Sequence, residues 1–397
     1  MDDSVRTSDI DQAEPPQPAD SPDAESGRGW RSQPRQVVGW ALDRASGWGP
    51  VPEVASAVRQ VAGWVRPTGP LRIDGYRSFG SNTAVRIKGR VLAGRAPGAA
   101  QEGEHQLRAA GRMATRFLSA EVADVVVEVC YDGVTGSTVS DDEGYFGIDF
   151  AFDRPSTSGA RWSMAQARVL HDEYGAGQWW PIEVLVVGSD IDRLIISDVD
   201  DTILLNGVGA AARTVLTTIS GSELTREAVP NAAEVYQQLS HPTGAGAQNP
   251  VFYVSSSPWN LYDFLIAFLD VNRFPPGPLV LRDIGLNRRT LSGSSHHNHK
   301  VDSINEILAA VSEPQVVLIG DTSLKDAHAF AEIIDQHPER VVAAFLRDVD
   351  DEERSGRTRS YVEEYNADRD DRSQAILHVV SDMVEILELL GDPGESF

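Results

Sequence analysis

Apolar and polar positions divide the chain into distinct textures. Residues 1–34 are rich in Asp, Ser, Pro, Gln and Arg and almost devoid of apolar side chains. They cannot bury enough surface to offset the entropy of ordering, and a disordered acidic tail is expected. Within residues 35–69, Val51, Val54, Val58, Val61 and Val65 recur at steps of three and four, the stripe of an amphipathic helix, with Trp40, Trp48 and Trp64 around it. The stripe reads as a helix packed on its own domain in preference to one lying on a membrane. Residues 70–190 shift to alternation. Ala84–Leu92, Val125–Cys130, Tyr145–Phe152, Ala165–Leu170 and Ile182–Val187 are predicted strands, and Val134–Phe146 is a turn segment joining two of them. A helix over His105–Ser119 interrupts the series, and the whole predicts a small, mainly antiparallel β-sandwich.

From residue 191 the strands become compact apolar runs: Leu194–Ile196, Val251–Val254, Leu279–Leu281, Val316–Ile319 and Val341–Leu346. Such runs, alternating with helical stretches, predict an α/β domain over 191–349, a parallel sheet with helices on both faces. Asp348–Asp371 reads as a charged, mobile linker. Ile376–Val380 and Met383–Leu390 then supply a last strand and helix, so that 350–397 completes the α/β domain.

Composition narrows the function. A formal charge of -24 over 397 residues argues against nucleic-acid binding, which needs a basic surface. It also weakens attraction to anionic membranes. Cys130 is the sole cysteine, so no intrachain disulfide can form and a reducing compartment is expected. No apolar run spans a bilayer and the N-terminus lacks the pattern of a signal peptide, so a cytoplasmic protein with at most peripheral membrane contact is expected.

Candidate chemistry gathers at strand ends. The run Leu194-Ile-Ile-Ser-Asp198-Val-Asp200-Asp-Thr202 leads a strand into two carboxylates two residues apart. Alternate residues of a strand share a face, so Asp198 and Asp200 can address one ligand. That arrangement suits phosphoryl transfer through an aspartyl-phosphate, one carboxylate attacking and the other moving protons. Val251–Val254 ends in Ser255-Ser256-Ser257-Pro258-Trp259-Asn260, where a hydroxyl and backbone amides can hold a phosphate oxygen; strand length favours Ser255 over Ser256. Val316–Ile319 ends in Gly320-Asp321-Thr-Ser-Leu-Lys-Asp326, whose carboxylates suit Mg²⁺. Lys300 is one of three lysines, with Lys88 and Lys325. Asp201 reads as a turn residue, His296, His297 and His299 as a solvated loop, and Trp259 as core or pocket wall.

These motifs occur in the order of the haloacid dehalogenase (HAD) superfamily. Tyr253-Val-Ser-Ser-Ser-Pro-Trp-Asn-Leu-Tyr262, His299-Lys300, Ile319-Gly-Asp-Thr-Ser-Leu-Lys-Asp326 and Arg347-Asp348-Val349 resemble, more narrowly, the phosphatidate phosphatase APP1 catalytic domain family. The resemblance covers about Asp192–Val349. It implies a HAD-like Rossmannoid sheet and a Mg²⁺-dependent phosphatase with phosphatidate as substrate. It further implies Asp198 as nucleophile, Asp200 as general acid/base, Ser255 on the transferring phosphoryl group and Lys300 neutralising it. Mg²⁺ would sit on Asp198, the Asp200 carbonyl and Asp321, with Asp326 holding Lys300 or metal-bound water. One departure stands out: the family pattern Gly-Asp-Ser-Gly-x-x-Asp followed by Pro-Glu is replaced by Thr322-Ser323-Leu324-Lys325 between the aspartates, then Ala327-His328. Both aspartates keep their spacing, and the change falls on Leu324 and Lys325.

Two other readings remain open at this level: a non-catalytic phosphatidate-binding module, and a phosphatase for a soluble phosphomonoester or phosphoprotein. The short stretch Ile203–Pro250 leaves little room for a cap over the site, which suits a phosphate presented by something large.

Overall fold

The computed structural model describes residues 71–94, 120–153, 158–170, 177–205, 227–242, 248–282, 295–349, 351–367 and 376–391. The expected acidic tail, the Val51–Val65 stripe and the His105–Ser119 helix lie outside the described residues. Two sheets make up the rest, both within the compact unit that runs from Pro34.

The first sheet contains β1 (Leu71–Gly75), β2 (Ser78–Ser81), β3 (Ala84–Ala93), β4 (Ala120–Glu121), β5 (Val126–Tyr131), β6 (Val134–Val139), β7 (Tyr145–Ala151), β8 (Ala160–Val169) and β9 (Trp180–Val187). Its order is β1-β3-β2-β9-β8-β5-β6, with β4 and β7 also paired to β3. All pairs are antiparallel except β2 with β9. Inward residues from both arms, among them Ile73, Ile87, Val129, Phe146, Phe150 and Val184, enclose one core. The mainly antiparallel β region is as expected, with one correction. Val134–Val139 is not part of a turn but a strand, β6, paired with β5 from Tyr131↔Val134 to Val126↔Val139. Asp132 and Gly133, with φ of 50° and 77°, form the tight hairpin between them. β6 escaped the hydrophobic pattern because an edge strand with both faces partly exposed needs no apolar side.

The second sheet is wholly parallel: β10 (Arg193–Asp198), β11 (Val251–Pro258), β12 (Leu279–Arg282), β13 (Gln315–Asp321), β14 (Val341–Arg347) and β15 (Ile376–Val380). Their order is β12-β11-β10-β13-β14-β15. The chain therefore winds outward in one direction from β10 to β12 and in the other from β13 to β15, the doubly wound arrangement. Helices α1 (Ala232–Ser240), α2 (Tyr262–Val271) and α6 (Glu385–Leu390) cover one face; α3 (Ser295–Ala310), α4 (Leu324–Gln336) and α5 (Glu352–Ala367) cover the other. Alternation within β10 serves both layers. Ile195 packs with Tyr236 and Phe268 on the first face, while Leu194 and Ile196 pack with Ile304, Phe330 and Ile333 on the second. The first sheet joins this second core through Phe79 and Leu185, and the Phe79 ring meets Phe252 edge-on at 5.3 Å.

The expected linker over Asp348–Asp371 is overturned in its central part, because Glu352–Ala367 is the helix α5. It buries Ser355, Thr358 and Val362, a stripe at helical spacing. Two of these three are polar, so hydropathy gives no signal; hydrogen bonds replace apolar contact. Thr358 Oγ1 donates to the Thr322 carbonyl at 2.9 Å, and Ser355 Oγ donates to Asp348 Oδ1 at 2.5 Å and lies 3.1 Å from Thr322 Oγ1. The helix also carries Val362 into the second core. Truncating a buried aliphatic side chain leaves a cavity, so Val362→Ala is expected to lower unfolding free energy by about 1–3 kcal/mol in urea titration; an unchanged midpoint would place α5 off the core.

Candidate active site

The strand order reverses between β10 and β13, and in an open α/β sheet a ligand crevice forms at that point, beyond the carboxyl ends of the strands. β10 is flanked there by β11 and β13, with Asp198 level with Val254 and Ser197 level with Ile319. Asp198, Asp200, Ser255 and Asp321 therefore emerge on one edge from three adjacent strands. Lys300 enters from α3 and Asp326 from the first turn of α4.

Lys300 is the centre of the arrangement. Its side chain is 8% exposed, and Nζ donates to Asp198 Oδ1 at 2.7 Å and to Asp326 Oδ1 at 2.5 Å. Thr202 Oγ1 donates to the other Asp198 oxygen at 3.0 Å. Burial pushes the Asp198 carboxyl well above its ordinary range, with Lys300 pulling it down and the neighbouring acids pushing it up. Asp326 is raised in the same way. For Lys300 burial favours the neutral amine, but the carboxylates of Asp198 and Asp326 outweigh it and hold the ammonium charged. Gly320 is required by close approach: a Cβ there would lie 2.5 Å from Asp326 Oδ2 and 2.8 Å from the Phe330 ring.

Asp200 has a different environment. Its Oδ2 accepts from Ser255 Oγ at 2.8 Å and from Ser257 Oγ at 3.0 Å. Ser255 Oγ also accepts from the Ser257 amide at 2.9 Å, so the C-terminal end of β11 is tied to the Asp200 carboxylate. The register between β11 and β12 shifts between Val254 and Pro258, an irregularity of the kind that redirects side chains beside functional sites. Asp201 adopts a left-handed conformation with φ of 60°, the turn role expected of it. Its carbonyl accepts from Arg347 Nε at 2.9 Å and Nη2 at 2.6 Å.

At the β13 end, Asp321 Oδ1 accepts from the Ser323 amide at 2.7 Å, and Asp326 Oδ2 accepts from the Asp321 amide at 3.3 Å. Asp321 Oδ2 accepts from Arg354 Nη2 at 2.6 Å. Arg354 belongs to α5 and also lies 3.6 Å from Asp201 Oδ2. Ser323 caps α4, its side chain accepting from the Asp326 amide.

The residues singled out from sequence thus converge, and Ser255, not Ser256, is the serine that reaches the carboxylate. Two partners, Ser257 and Arg354, were not anticipated, and Thr202 was given no role. Ser257 is two positions beyond Ser255, and the two-residue period of a strand is the signal for it. Thr202 was visible as the hydroxyl closing the Asp198 motif. Arg354 left no signal, since it lies among other charges in the supposed linker. His299 corrects a further expectation: it lies in α3 rather than in a loop, and burial lowers its basicity. Its Nε2 is 3.3 Å from the Ser255 carbonyl and its Nδ1 is 3.4 Å from Ser303 Oγ, which suits a neutral imidazole protonated at Nε2. The side chains of His296 and His297 lie outside the described residues. Trp259 stacks on Tyr76 at 4.2 Å and packs against the first core, the core half of what was expected of it.

The donor chemistry fits a hard divalent cation. Two buried carboxylates share one ammonium, with Asp321 alongside, and a dication would offset the excess negative charge. Among the described residues no three Asp, Glu, His or Cys side chains converge as a metal-binding group. Mg²⁺ ordinarily takes only one or two carboxylates, with phosphate oxygens and water completing its shell.

Removing Lys300 would leave two buried carboxylates with no shared cation. Breaking such a pair costs about 3–5 kcal/mol, so Lys300→Ala is expected to lose stability on that scale. Because the raised carboxyls bind protons in the folded state, part of the loss should be recovered as pH falls. A stability deficit that widens on acidification would contradict this arrangement.

Residues 193–348 match the family model described as phosphatidate phosphatase APP1, catalytic domain. Among curated proteins, the chain is 29% identical over 153 residues to phosphatidate phosphatase APP1 of Saccharomyces cerevisiae, covering 38% of this chain and 25% of that protein. It is 27% identical over 157 residues to an uncharacterized protein of Schizosaccharomyces pombe, covering 39% and 25%. The matched region spans about a quarter of each relative. Of solved structures, a carbohydrate acetylesterase from Xanthomonas citri aligns at 11% identity over 76% of this chain and 65% of its own, with a TM-score of 0.25, too low to bear on the fold. The segment 193–348, with its strand-end carboxylates and buried lysine, is thus similar to the phosphatidate phosphatase APP1 catalytic domain family.

Proposed function

We propose that the protein is a Mg²⁺-dependent phosphatase of HAD type that hydrolyses phosphatidate to diacylglycerol and phosphate through an aspartyl-phosphate. The observation that carries this reading is the contrast between two carboxylates on one strand end. Asp198 is held by Lys300 and Thr202, while Asp200 is held by the hydroxyls of Ser255 and Ser257. Carboxylates in separate environments can divide nucleophile and acid/base roles.

In the proposed reaction an oxygen of Asp198 forms a bond to phosphorus as the bond to the diacylglycerol oxygen breaks, and protonated Asp200 gives that oxygen its proton. Asp200 then takes a proton from water, whose oxygen attacks the aspartyl-phosphate; inorganic phosphate leaves and Asp198 is restored. The Lys300 ammonium offsets charge on the phosphoryl oxygens, and Ser255 orients the group. Mg²⁺, held by Asp198, Asp321 and the Asp200 carbonyl, would supply further charge neutralisation when bound.

Substrate choice rests on two supports. The matched family includes a protein named for phosphatidate, and the stretch Ile203–Pro250 contains α1 as its crossover and little chain for a cap. A lipid substrate implies work at a membrane surface, by peripheral contact. Among the described residues no helix is long and apolar enough to cross a bilayer.

Two measurements check the proposal. Asp198→Asn is expected to abolish phosphate release while thermal unfolding stays near that of the parent protein, and chelation should abolish it in the parent; activity that survives either would overturn the mechanism. Phosphate release from phosphatidate in mixed micelles should exceed that from sugar or nucleotide phosphates at matched concentration. The reverse ranking would assign the same chemistry to a soluble substrate.

A further inference from the structure

Among the described residues, Arg354 is the site residue that lies outside the matched segment 193–348. It sits in the first turn of α5, and its guanidinium bridges two strand ends. Nη2 donates to Asp321 Oδ2 at 2.6 Å and Nη1 lies 3.6 Å from Asp201 Oδ2. The Asp321 side chain is 6% exposed, whereas that of Arg354 is 32% exposed. The carboxylate is thus fixed and buried, while the cation covering it reaches in from the solvent side. Asp321 Oδ1 is occupied by the Ser323 amide, so Oδ2 is the oxygen on which Arg354 and an incoming cation would meet.

The rest of α5 does not depend on this contact. Ser355 and Thr358 bond to Thr322 and Asp348, Arg359 pairs with Asp348, and Val362 is buried in the core. The Arg354 amide donates to Asp351 Oδ1 at 3.1 Å whatever its side chain does. The helix is therefore anchored on either side of a guanidinium free to leave, and a partly exposed ion pair of this kind is weak enough to exchange.

We propose that Arg354 is a positioning residue that competes with the divalent cation for Asp321. It holds the carboxylate in place while no cation is bound and withdraws toward solvent when one arrives, so that α5 sets the cation concentration at which the site loads. This rests on the reading of the site as a cation-dependent phosphatase.

Arg354→Gln and Arg354→Lys test it in the full-length protein, with Mg²⁺ binding followed by calorimetry and Mn²⁺ binding by electron paramagnetic resonance, both without substrate. Arg354→Gln is expected to bind either ion about one-and-a-half- to fivefold more tightly, the scale of one lost, partly exposed ion pair. Arg354→Lys should fall between the two. The Mg²⁺ concentration giving half-maximal phosphate release should drop by the same factor. Equal or weaker ion binding in Arg354→Gln, with the parent protein binding normally, overturns the competition and leaves the cation reading intact. A purely structural Arg354 would lower the melting temperature of the variants with no gain in affinity, which also overturns it. Absence of binding to all three proteins overturns the cation reading and this inference together.

Discussion

The site is organised around one ammonium ion shared by two buried carboxylates. Withdrawing Lys300, Asp198 and Asp326 from water carries a large desolvation cost, which is tolerable only because Nζ reaches both carboxylates at hydrogen-bonding distance. That requirement reaches through the fold. It demands that α3 pack against the β10 side of the sheet so that Lys300 points at the strand end, and Val301, Ile304, Ile307 and Leu308 supply the packing. It demands that α4 begin close against β13, which Gly320 permits by having no side chain. A buried ion pair of this kind adds little net stability by itself. Its effect is to fix where the carboxylates are, while the apolar layers on both sheet faces supply the stability that holds them there.

The balance of charge follows from the same centre. One ammonium cannot neutralise both carboxylates, and burial leaves Asp198 and Asp326 raised above their ordinary ranges. The nearby Asp321 turns to the Ser323 amide and to Arg354. Asp200, at the same strand end, is instead bonded to two hydroxyls that carry no charge. The geometry thus separates a charge-compensated region around Lys300 from a polar, hydroxyl-lined region around Asp200, with Asp198 and Asp200 two residues apart at one strand end.

Much of this was legible in the sequence wherever apolar pattern and motif coincided. The six strands of the parallel sheet were each marked by a compact apolar run; Asp198, Asp200, Ser255, Asp321 and Asp326 were recognisable from their places after those runs, and Lys300 through the family resemblance. What pattern could not reveal were elements whose burial is polar. α5 docks through Ser355 and Thr358, which match the helical period but not the hydropathy, and Arg354 was hidden with it. β6 has no apolar face because it lies at a sheet edge. His299 seemed to belong to a polar loop because the first turn of α3 reads Ser-His-His-Asn-His. In each case hydrogen bonding, or exposure on both faces, replaced the apolar contact on which periodicity depends.

The antiparallel sheet is coupled to the candidate site by the C-terminal end of β11 and the residue that follows it. Ser255 and Ser257 bond to Asp200, and Trp259, two residues further on, stacks on Tyr76 from the loop between β1 and β2. Tyr145 of β7 and Tyr262 of α2 complete the aromatic group, and the Arg77 amide donates to the Tyr262 hydroxyl at 2.6 Å. On the opposite side of the parallel sheet's core, Lys88 of β3 pairs with Glu306 of α3 at 2.5 Å, on the helix that carries Lys300. The antiparallel sheet therefore contacts both the residue that follows the serine-bearing strand and the lysine helix. Aromatic pairs have preferred ring geometries in addition to their area burial. The position of the Ser255 and Ser257 hydroxyls is thus determined from two directions, by the Asp200 carboxylate in front and by Tyr76 behind, and the β region acts as part of the frame of the site.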